Sequence, residues 1–501
     1  MISFDVGTLL PALAPVVGAV VVLVVDLFDP RGRRIHYAVA FIALVFGMLG
    51  TAGPLGSTTG DAVRTLCVPA GTTCFYTGTA LTAALQLATL LAAVVTLLLA
   101  WPTERPGQAA RTHETAVTVA LLLAATGGAV GVAAARDLGS WLVALELATL
   151  PVVALTALPG TRRAVAGAIQ LLTTSLVSFA MLTLAAACWY AATGSPTFTT
   201  AATLSATSTP QRALLALAVV LVLGGIGFKL SLVPFHAWTP AAYAGAPLPV
   251  TVFLAGVSKV AALAALLVVI SAVTVLGQSA LVVVAVLAIA SMTLGNLVAL
   301  RQDDAVRLLA WSTIAQAGWV VLPLLTVSAV GTRASAGYLL TYLVATVVAF
   351  TVVVVTVRTA RGRDLQAYRG MFRTHPWAAG ALLLALTSLA GLPPGLFGLI
   401  GKVLALRPVL AEGWWVVGVL AAGNAVLGVA VYLRWARFLL QSDGSPSSAS
   451  EEGGGERGGD PGAAVTTRVR LHPSHAVALA IGSAALVIGS VQPQWLLGLL
   501  G

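Results

Sequence analysis

The sequence predicts an all-α, polytopic membrane protein, because apolar residues dominate it and charged residues are scarce. Hydrophobic residues make up 58% of the 501 residues, charged residues 9%, and the mean hydropathy is +0.98. Soluble domains carry about 25% charged residues. About 20 apolar residues span a bilayer as a helix. On that scale we predict fourteen membrane helices: 6–28, 35–53, 80–101, 115–134, 139–158, 164–193, 212–235, 247–271, 277–299, 307–327, 334–357, 376–408, 414–440 and 474–498.

Two of these helices are predicted to be discontinuous. Helix 7 carries GGIGFKLSLVPFH with Pro234, and helix 12 carries SLAGLPPGLFGLIGK with Pro393 and Pro394. Proline lacks the amide donor that continues a helix. Broken helices at membrane depth persist only inside protein or beside a hydrated cavity, and in transporters they mark the ion path. We therefore expect helices 7 and 12 to line such a path.

The two breaks also suggest how the chain is organised. Their separation fits two five-helix repeats, and an odd helix count inverts the second copy relative to the first. The predicted division is an N-terminal three-helix segment, a first repeat (helices 4–8), a second, inverted repeat (helices 9–13), a disordered cytoplasmic loop rich in Gly, Ser and Glu, and a C-terminal helix, at 1–114, 115–271, 272–440, 441–473 and 474–501.

The arginines predict the orientation. The formal charge is +10, and 24 of the 27 basic residues are arginine. They are spread over many short loops, which indicates topology rather than a nucleic-acid surface. Alternate loops, beginning with DPRGRR, hold 19 arginines, and the other set holds 5. Basic loops face the cytoplasm, so both termini and the loop with Cys67 and Cys74 are expected outside it. A Cys67–Cys74 disulfide and two free thiols fit the sequence equally well.

Titratable residues inside the apolar segments point to proton transport. The only lysines, Lys229, Lys259 and Lys402, all lie in such segments. A buried lysine can release its proton, whereas arginine stays charged. Glu146 is the one acid deep in a predicted helix, and a buried carboxylate requires a partner such as lysine. We interpret these four residues as stations of one proton path, with His236 as a relay candidate. The alternative is that the lysines reach the headgroups or only join helices.

These residues also carry a family resemblance. The stretch GFKLSLVPFHAWTPAAYAGAPLPVTVFLAGVSKVAALAAL at 227–266 closely resembles the hallmark stretch of the N subunit of bacterial NADH-quinone oxidoreductase, respiratory complex I. Supporting matches are LEL around Glu146, GNLVALRQDDAVRLLAWSTIAQAGW at 295–319 and SLAGLPPGLFGLIGK at 388–402. The GAPxPVT…SKVA pattern favours the N subunit over its L and M relatives.

The resemblance implies an antiporter-like proton channel in the membrane arm of the complex. Glu146 and Lys229 would form the input pair, Lys259 the connecting site and Lys402 the exit site. It implies a non-redox subunit of a translocating enzyme in a bacterial plasma membrane, beside subunits of the K, M, L, J, A and H types. NADH, FMN, iron–sulfur clusters and quinone would belong to the partner subunits or to the whole complex. This subunit itself is expected to bind no cofactor or metal, since no nucleotide-binding glycine motif or cysteine cluster is present.

The sequence departs from the family pattern at accessory positions. Gln170 stands where members often have lysine on helix 6, and Gln316 where they often have histidine on helix 10. Ala241 and Ala244 replace the acids of WTPDxYEGAP. These losses suggest a divergent copy and keep a non-pumping scaffold open as an alternative. A subunit of a related cation/proton antiporter or membrane-bound hydrogenase is the other alternative.

Overall fold

The computed structural model describes residues 4–30, 32–56, 62–68, 73–102, 113–198, 208–270, 278–359, 362–441 and 471–500. Most of the predicted disordered loop at 441–473 lies outside these residues, so its state stays a prediction. Within the described part, thirteen spans are long and apolar enough to cross a membrane. The fourteenth predicted helix, helix 12, is divided into two shorter helices. The predicted all-α, polytopic fold is therefore confirmed.

The observed helices follow the predicted segments closely. Their bounds are Val6–Phe28, Arg33–Leu55, Ala80–Ala100, Glu114–Ala134, Leu138–Leu147 with Leu150–Ala157 (5a, 5b), Arg162–Thr193, Thr209–Leu230 with Trp238–Gly245 (7a, 7b), Leu248–Ala255 with Val257–Val269 (8a, 8b), Gln278–Ala299, Ala305–Val321 extended by a 3₁₀ turn Leu322–Thr326, Ala329–Arg358, Pro376–Ala390 with Leu396–Ala411 (12a, 12b), Trp415–Leu440 and Pro473–Val491. Short helical turns lie at Leu365–Tyr368, Met371–Thr374, Pro493–Leu497 and Gly498–Leu500.

One small β-hairpin departs from the all-α prediction. Strands β1 (Val63–Cys67) and β2 (Cys74–Gly78) pair antiparallel, and a disulfide joins Cys67 to Cys74. The half-buried Arg136, between helices 4 and 5, donates to the carbonyls of Ala135 (2.8 Å) and Thr77 (3.4 Å). Burial lowers the pKa of Arg136 to about 10. The arginine thereby ties the hairpin to the ends of the helices.

Helices 10 and 11 form the centre of the bundle. Of the residues in their most apolar windows, 94% and 89% are buried, against 39% in helix 1. An apolar helix surrounded by protein contributes side chains to several neighbours at once. Polar residues on helices 10 and 11 are consequently placed to bond to one another and to the lysine-bearing helices around them.

Each of the four helices that carry a predicted path residue is interrupted. Helices 7 and 12 break as predicted, with Pro234 and the Pro393–Pro394 pair in the non-helical links. Helix 5 is interrupted at 148–149, just before Pro151, and helix 8 at Gly256. These two breaks were not predicted. Pro151 removes an amide donor from helix 5, and Gly256 takes a backbone conformation outside the helical region.

At the helix 12 break, the backbones of helices 12a and 12b approach each other closely. Gly391 ends helix 12a at a φ of +79°, which favours glycine. After the two prolines, Gly395 and Gly398 lie directly on the backbone of Ser388. A Cβ added at Gly398 would stand 1.7 Å from the Ser388 carbonyl oxygen. The two halves therefore pack tightly, and helix 12b is held where Lys402 reaches back to the break.

Asp26, near the end of helix 1, is a buried acid that was not among the predicted path residues. It is 8% exposed. Its Oδ2 lies 2.7 Å from His113 Nδ1, before helix 4, and its Oδ1 lies 3.7 Å from His36 Nε2 on helix 2. These contacts join the ends of the three helices and lie apart from the lysine-bearing breaks.

Candidate proton path

Glu146 and Lys229 form a buried ion pair across helices 5 and 7. Lys229 Nζ lies 3.2 Å from Glu146 Oε1 and donates to Thr149 Oγ1 at 2.7 Å. Thr149 stands in the helix 5 break. Lys229 is 7% exposed, and the Glu146 side chain 13%. A buried carboxylate and ammonium stabilise each other only when paired and hydrogen-bonded, and the break supplies the hydroxyl that completes the site.

A small cavity adjoins this pair on the side of helix 8. It measures about 30 Å³ and its walls include Lys229, Thr149 and Ser258. That is enough room for a water molecule with several polar partners. The cavity thus joins the ion pair to the helix that carries Lys259.

Lys259 is bonded to the end of helix 7 itself. Its Nζ donates to the main-chain carbonyl of Lys229 at 2.8 Å and to Ser231 Oγ at 2.6 Å. It also lies 4.7 Å from the centre of the Trp238 ring, a cation–π contact. Helix 7a ends at Leu230, so its last carbonyls lack helical partners. The break predicted from Pro234 therefore creates an acceptor for Lys259.

Ser231 extends this cluster towards helix 7b. Its hydroxyl lies 2.6 Å from Thr239 Oγ1. Trp238 Nε1 donates to the Phe228 carbonyl at 2.9 Å, which fixes the indole ring under Lys259. Among the described residues, no acid forms an ion pair with Lys259. Its ammonium is surrounded by neutral dipoles and an aromatic ring.

Lys402 occupies a similar setting at the helix 12 break. Its Nζ donates to the Ala390 carbonyl at 2.6 Å and lies 5.6 Å from the centre of the Trp319 ring. The side chain is 8% exposed. The ammonium is inside the bundle, bonded to a carbonyl that the break frees. This geometry does not agree with the alternative in which Lys402 extends outward to the headgroups.

Tyrosines and Gln316 fill the space between the helix 8 break and Lys402. The Tyr342 hydroxyl lies 2.9 Å from the Ala255 carbonyl and 3.0 Å from Thr313 Oγ1, either of which can accept its one proton. One helical turn away on the same two helices, Tyr338 donates to Gln316 Oε1. Tyr338 stacks on Trp319, the ring beside Lys402, at a centroid distance of 5.8 Å.

Gln316 is the centre of this network. Its Nε2 donates to Tyr432 OH on helix 13 at 2.8 Å and lies 3.4 Å from the Leu389 carbonyl at the helix 12 break. Tyr432 OH in turn lies 2.7 Å from Ser312 Oγ. Gln316 has two donors and an acceptor for these contacts. It therefore links helices 10, 11, 12 and 13.

The remaining predicted residues lie at the edges of the path. Gln170 Nε2 donates to the Ala237 carbonyl in the helix 7 break at 3.0 Å. The half-buried His236 ring packs beside the Trp311 ring at 5.4 Å. No hydrogen bond within the described residues joins His236 to Lys229 or Lys259. Its relay role stays a prediction that rests on its position in the break.

Several residues of the site were not predicted. Thr149 and Ser231 gave no distinctive signal, since hydroxyls are common in membrane helices. Trp238, Trp319 and the three tyrosines resemble packing residues when read along a sequence. Pro151 signals the helix break beside Glu146 in the same way as Pro234 does in helix 7. Gly256, beside Lys259, gives no such signal, since a single glycine is compatible with a continuous helix.

The fold and the buried charges define an antiporter-like membrane protein. The family described as NADH:quinone oxidoreductase/Mrp antiporter matches residues 135–428, and the chain belongs to this family.

Two similar proteins are named as subunits of NADH-quinone oxidoreductase. The chain is 38% identical to NADH-quinone oxidoreductase subunit N of Salinispora tropica, over 88% of this chain and 86% of the relative. It is 36% identical to subunit N 2 of Streptomyces griseus, over 89% and 85%. The resemblance to subunit N found in the sequence is thereby confirmed.

Solved structures agree with the fold. A chain of respiratory complex I from Thermus thermophilus with bound aureothin is 30% identical, with a TM-score of 0.74 over 97% of this chain and 98% of that chain. A chain of the Mrp complex from Dietzia has a TM-score of 0.82 at 22% identity, over 99% and 96%. At that identity the Mrp likeness shows the fold alone.

Proposed function

We propose that this chain is the subunit N-type, proton-translocating subunit of a membrane NADH-quinone oxidoreductase. The observation that carries the proposal is the buried Glu146–Lys229 pair, at 3.2 Å, beside two further lysines bonded to carbonyls at helix breaks. The names of the relatives support the choice of complex, and the geometry of the lysines supports the path. In this proposal NADH, FMN, iron–sulfur clusters and quinone are bound by partner subunits. The whole complex lies in a bacterial plasma membrane.

In this proposal Glu146 controls the charge of Lys229. While the two are paired, the carboxylate stabilises the ammonium, and Thr149 fills one of its remaining donor positions. Redox energy released in other subunits separates the pair, and Lys229 then gives up its proton. The cavity beside Ser258 and the hydroxyl of Ser231 connect this position with Lys259.

From Lys259 the proton passes through side chains that do not need to change charge. A hydroxyl can pass a proton on by accepting one at its oxygen and releasing its own, whereas the Gln316 amide holds the hydroxyls of Tyr338 and Tyr432 in position. Tyr342 and Thr313 begin this section, and Tyr338 and Tyr432, held by Gln316, continue it towards Lys402, with bound water carrying the proton between hydroxyls that no hydrogen bond joins. Lys402 is the exit station, in contact with the carbonyl of Ala390.

The test is Lys229→Arg in the assembled complex. Arginine keeps the charge that Glu146 requires and abolishes titration. We expect the complex to assemble, and NADH-driven proton uptake through this subunit to be lost in reconstituted vesicles. Arg212→Lys exchanges the same two residue types at the exposed opposite end of helix 7a and should pump normally. Normal proton-to-electron stoichiometry in the assembled Lys229→Arg complex would overturn the carrier role and favour the scaffold alternative.

The identity of the complex is tested separately. A tag on this chain should co-purify flavin- and iron–sulfur-bearing subunits together with the neighbouring membrane subunits of complex I. Recovery of Mrp antiporter or hydrogenase subunits instead would contradict the proposal. The fold does not decide between these complexes, because the Mrp chain is as similar in shape.

A further inference from the structure

An open groove lies at one end of the bundle, apart from the proton path. It runs between helix 11 and helix 12b and is closed by the last turn of the chain. Its volume is about 540 Å³, within the range of roughly 300–1,000 Å³ typical of small-molecule sites. The floor is apolar and includes Ala334, Gly337, Leu404 and Leu500. A groove of this kind accepts an extended apolar chain.

Two arginines stand at the rim of the groove. Arg333 lies in the second turn of helix 11, and Arg407 lies near the end of helix 12b. Both side chains are exposed. Among the residues that the structure describes, no ion pair or hydrogen bond occupies either guanidinium, and no acid lines the groove. The rim is therefore a positive site with free donor groups.

The position of these arginines is unusual for this chain. They are two of only five arginines in the set of loops that is otherwise poor in them. Both lie near the ends of their helices, where basic side chains of membrane proteins reach the lipid headgroups. At the same end, Trp495 is 68% exposed, as is typical of a side chain at the membrane interface. Val330 and Val403 beside the groove are 63% and 56% exposed.

We propose that this groove binds an anionic phospholipid, with its phosphate between Arg333 and Arg407 and an acyl chain on the Gly337 floor. A guanidinium matches a phosphate through paired N–H donors. Gly337 leaves the floor open, since a Cβ there would make only ordinary contacts of 3.4–4.0 Å with Leu497, Leu500 and Leu404. The charge selects the headgroup, and the apolar floor selects a lipid over free phosphate. This site is independent of the proposed proton path.

The test uses the intact complex in phosphatidylcholine nanodiscs with a small amount of phosphatidylglycerol that carries a photoreactive acyl chain. Mass spectrometry should place the adduct on the groove floor. Arg333→Gln and Arg407→Gln should each lower this labelling by about fivefold, the contribution of one basic residue near anionic lipid. Arg64→Gln, an exposed arginine of the same set of loops, should leave it unchanged.

A second variant separates shape from charge. Gly337→Leu places a side chain in the groove and keeps both arginines, so the floor adduct should disappear while labelling at the exposed Val426 on helix 13 persists. Equal labelling in the double arginine variant would show that any annular lipid occupies the groove, and would overturn the proposal. A wild-type complex labelled at Val426 but not in the groove would mean that a neighbouring subunit covers it, and would overturn the proposal as well.

Discussion

At the scale of single residues, the three lysines differ in what compensates their charge. Lys229 has a carboxylate, whereas Lys259 and Lys402 have a carbonyl oxygen and a tryptophan face. The pairing of Lys229 with Glu146 was implied by the family resemblance, since one deep acid and three lysines leave three possible pairs. The partners of Lys259 and Lys402 could not be predicted. Every residue has a main-chain carbonyl, and the sequence does not show which of these carbonyls accepts a hydrogen bond at a helix break.

The link between Lys259 and Lys402 can be tested at Tyr432. Tyr432→Phe removes the hydroxyl that bonds Gln316 and Ser312 and keeps the ring. Loss of such a bond costs about 1 kcal/mol, so we expect proton translocation to slow roughly fivefold while NADH oxidation by the uncoupled complex is unchanged. Tyr190→Phe, on an exposed part of helix 6, serves as the control. Wild-type pumping by Tyr432→Phe would remove the tyrosine from the path.

At the scale of elements, helix breaks connect the sequence to the site. Pro234 and the Pro393–Pro394 pair predicted two breaks correctly, because proline cannot continue the hydrogen-bond ladder. The helix 8 break was missed because Gly256 alone is compatible with a continuous helix. The tyrosine network was missed for another reason: it depends on which helices are neighbours, and helices 10, 11 and 13 gave no pairing signal.

The packing at the helix 12 break predicts opposite effects on stability when each of two glycines is replaced by alanine. Gly398→Ala would drive a methyl group into the Ser388 carbonyl, and an overpacked core typically loses about 1–3 kcal/mol. Gly380→Ala, on helix 12a, meets no atom within 4 Å and should stabilise the helix by about 1 kcal/mol. The amount of each variant in the solubilised complex and its thermal inactivation temperature measure the difference. Equal behaviour of the two variants would contradict the described packing.

At the scale of the whole molecule, the two sets of loops separate as the arginine count predicts. At the arginine-poor end, Asp5 N donates to Thr65 Oγ1, and Arg136 N donates to the Phe75 carbonyl. At the other end, Arg434 pairs with Asp303, and Arg363 donates to the Ala244 carbonyl. Which end faces the cytoplasm remains a prediction of the arginine excess, as does the division into two inverted repeats.

Cysteine labelling tests the orientation. The Cys67–Cys74 disulfide lies in the arginine-poor set of loops, and Cys188 is buried. We expect an impermeant maleimide to label intact cells only after treatment with an impermeant reductant. Ser445→Cys, in a chain with Cys67→Ser and Cys74→Ser, should be labelled only in inverted membranes. Labelling of Ser445→Cys in intact cells would reverse the proposed topology.

Residue 229 serves two sites at once, because its side chain bonds Glu146 and its main-chain oxygen accepts from Lys259. Any displacement of this residue alters both contacts together, so the two sites are thermodynamically coupled. Glu146→Gln and Ser231→Ala should therefore be non-additive in a double-mutant cycle of proton translocation rates, by at least about 0.5 kcal/mol. Glu146→Gln combined with Thr183→Ala, on the exposed face of helix 6, should be additive. Additivity in both cycles would mean that protonation of one lysine affects the next lysine only by transfer of the proton, and that displacement of residue 229 does not couple the two sites.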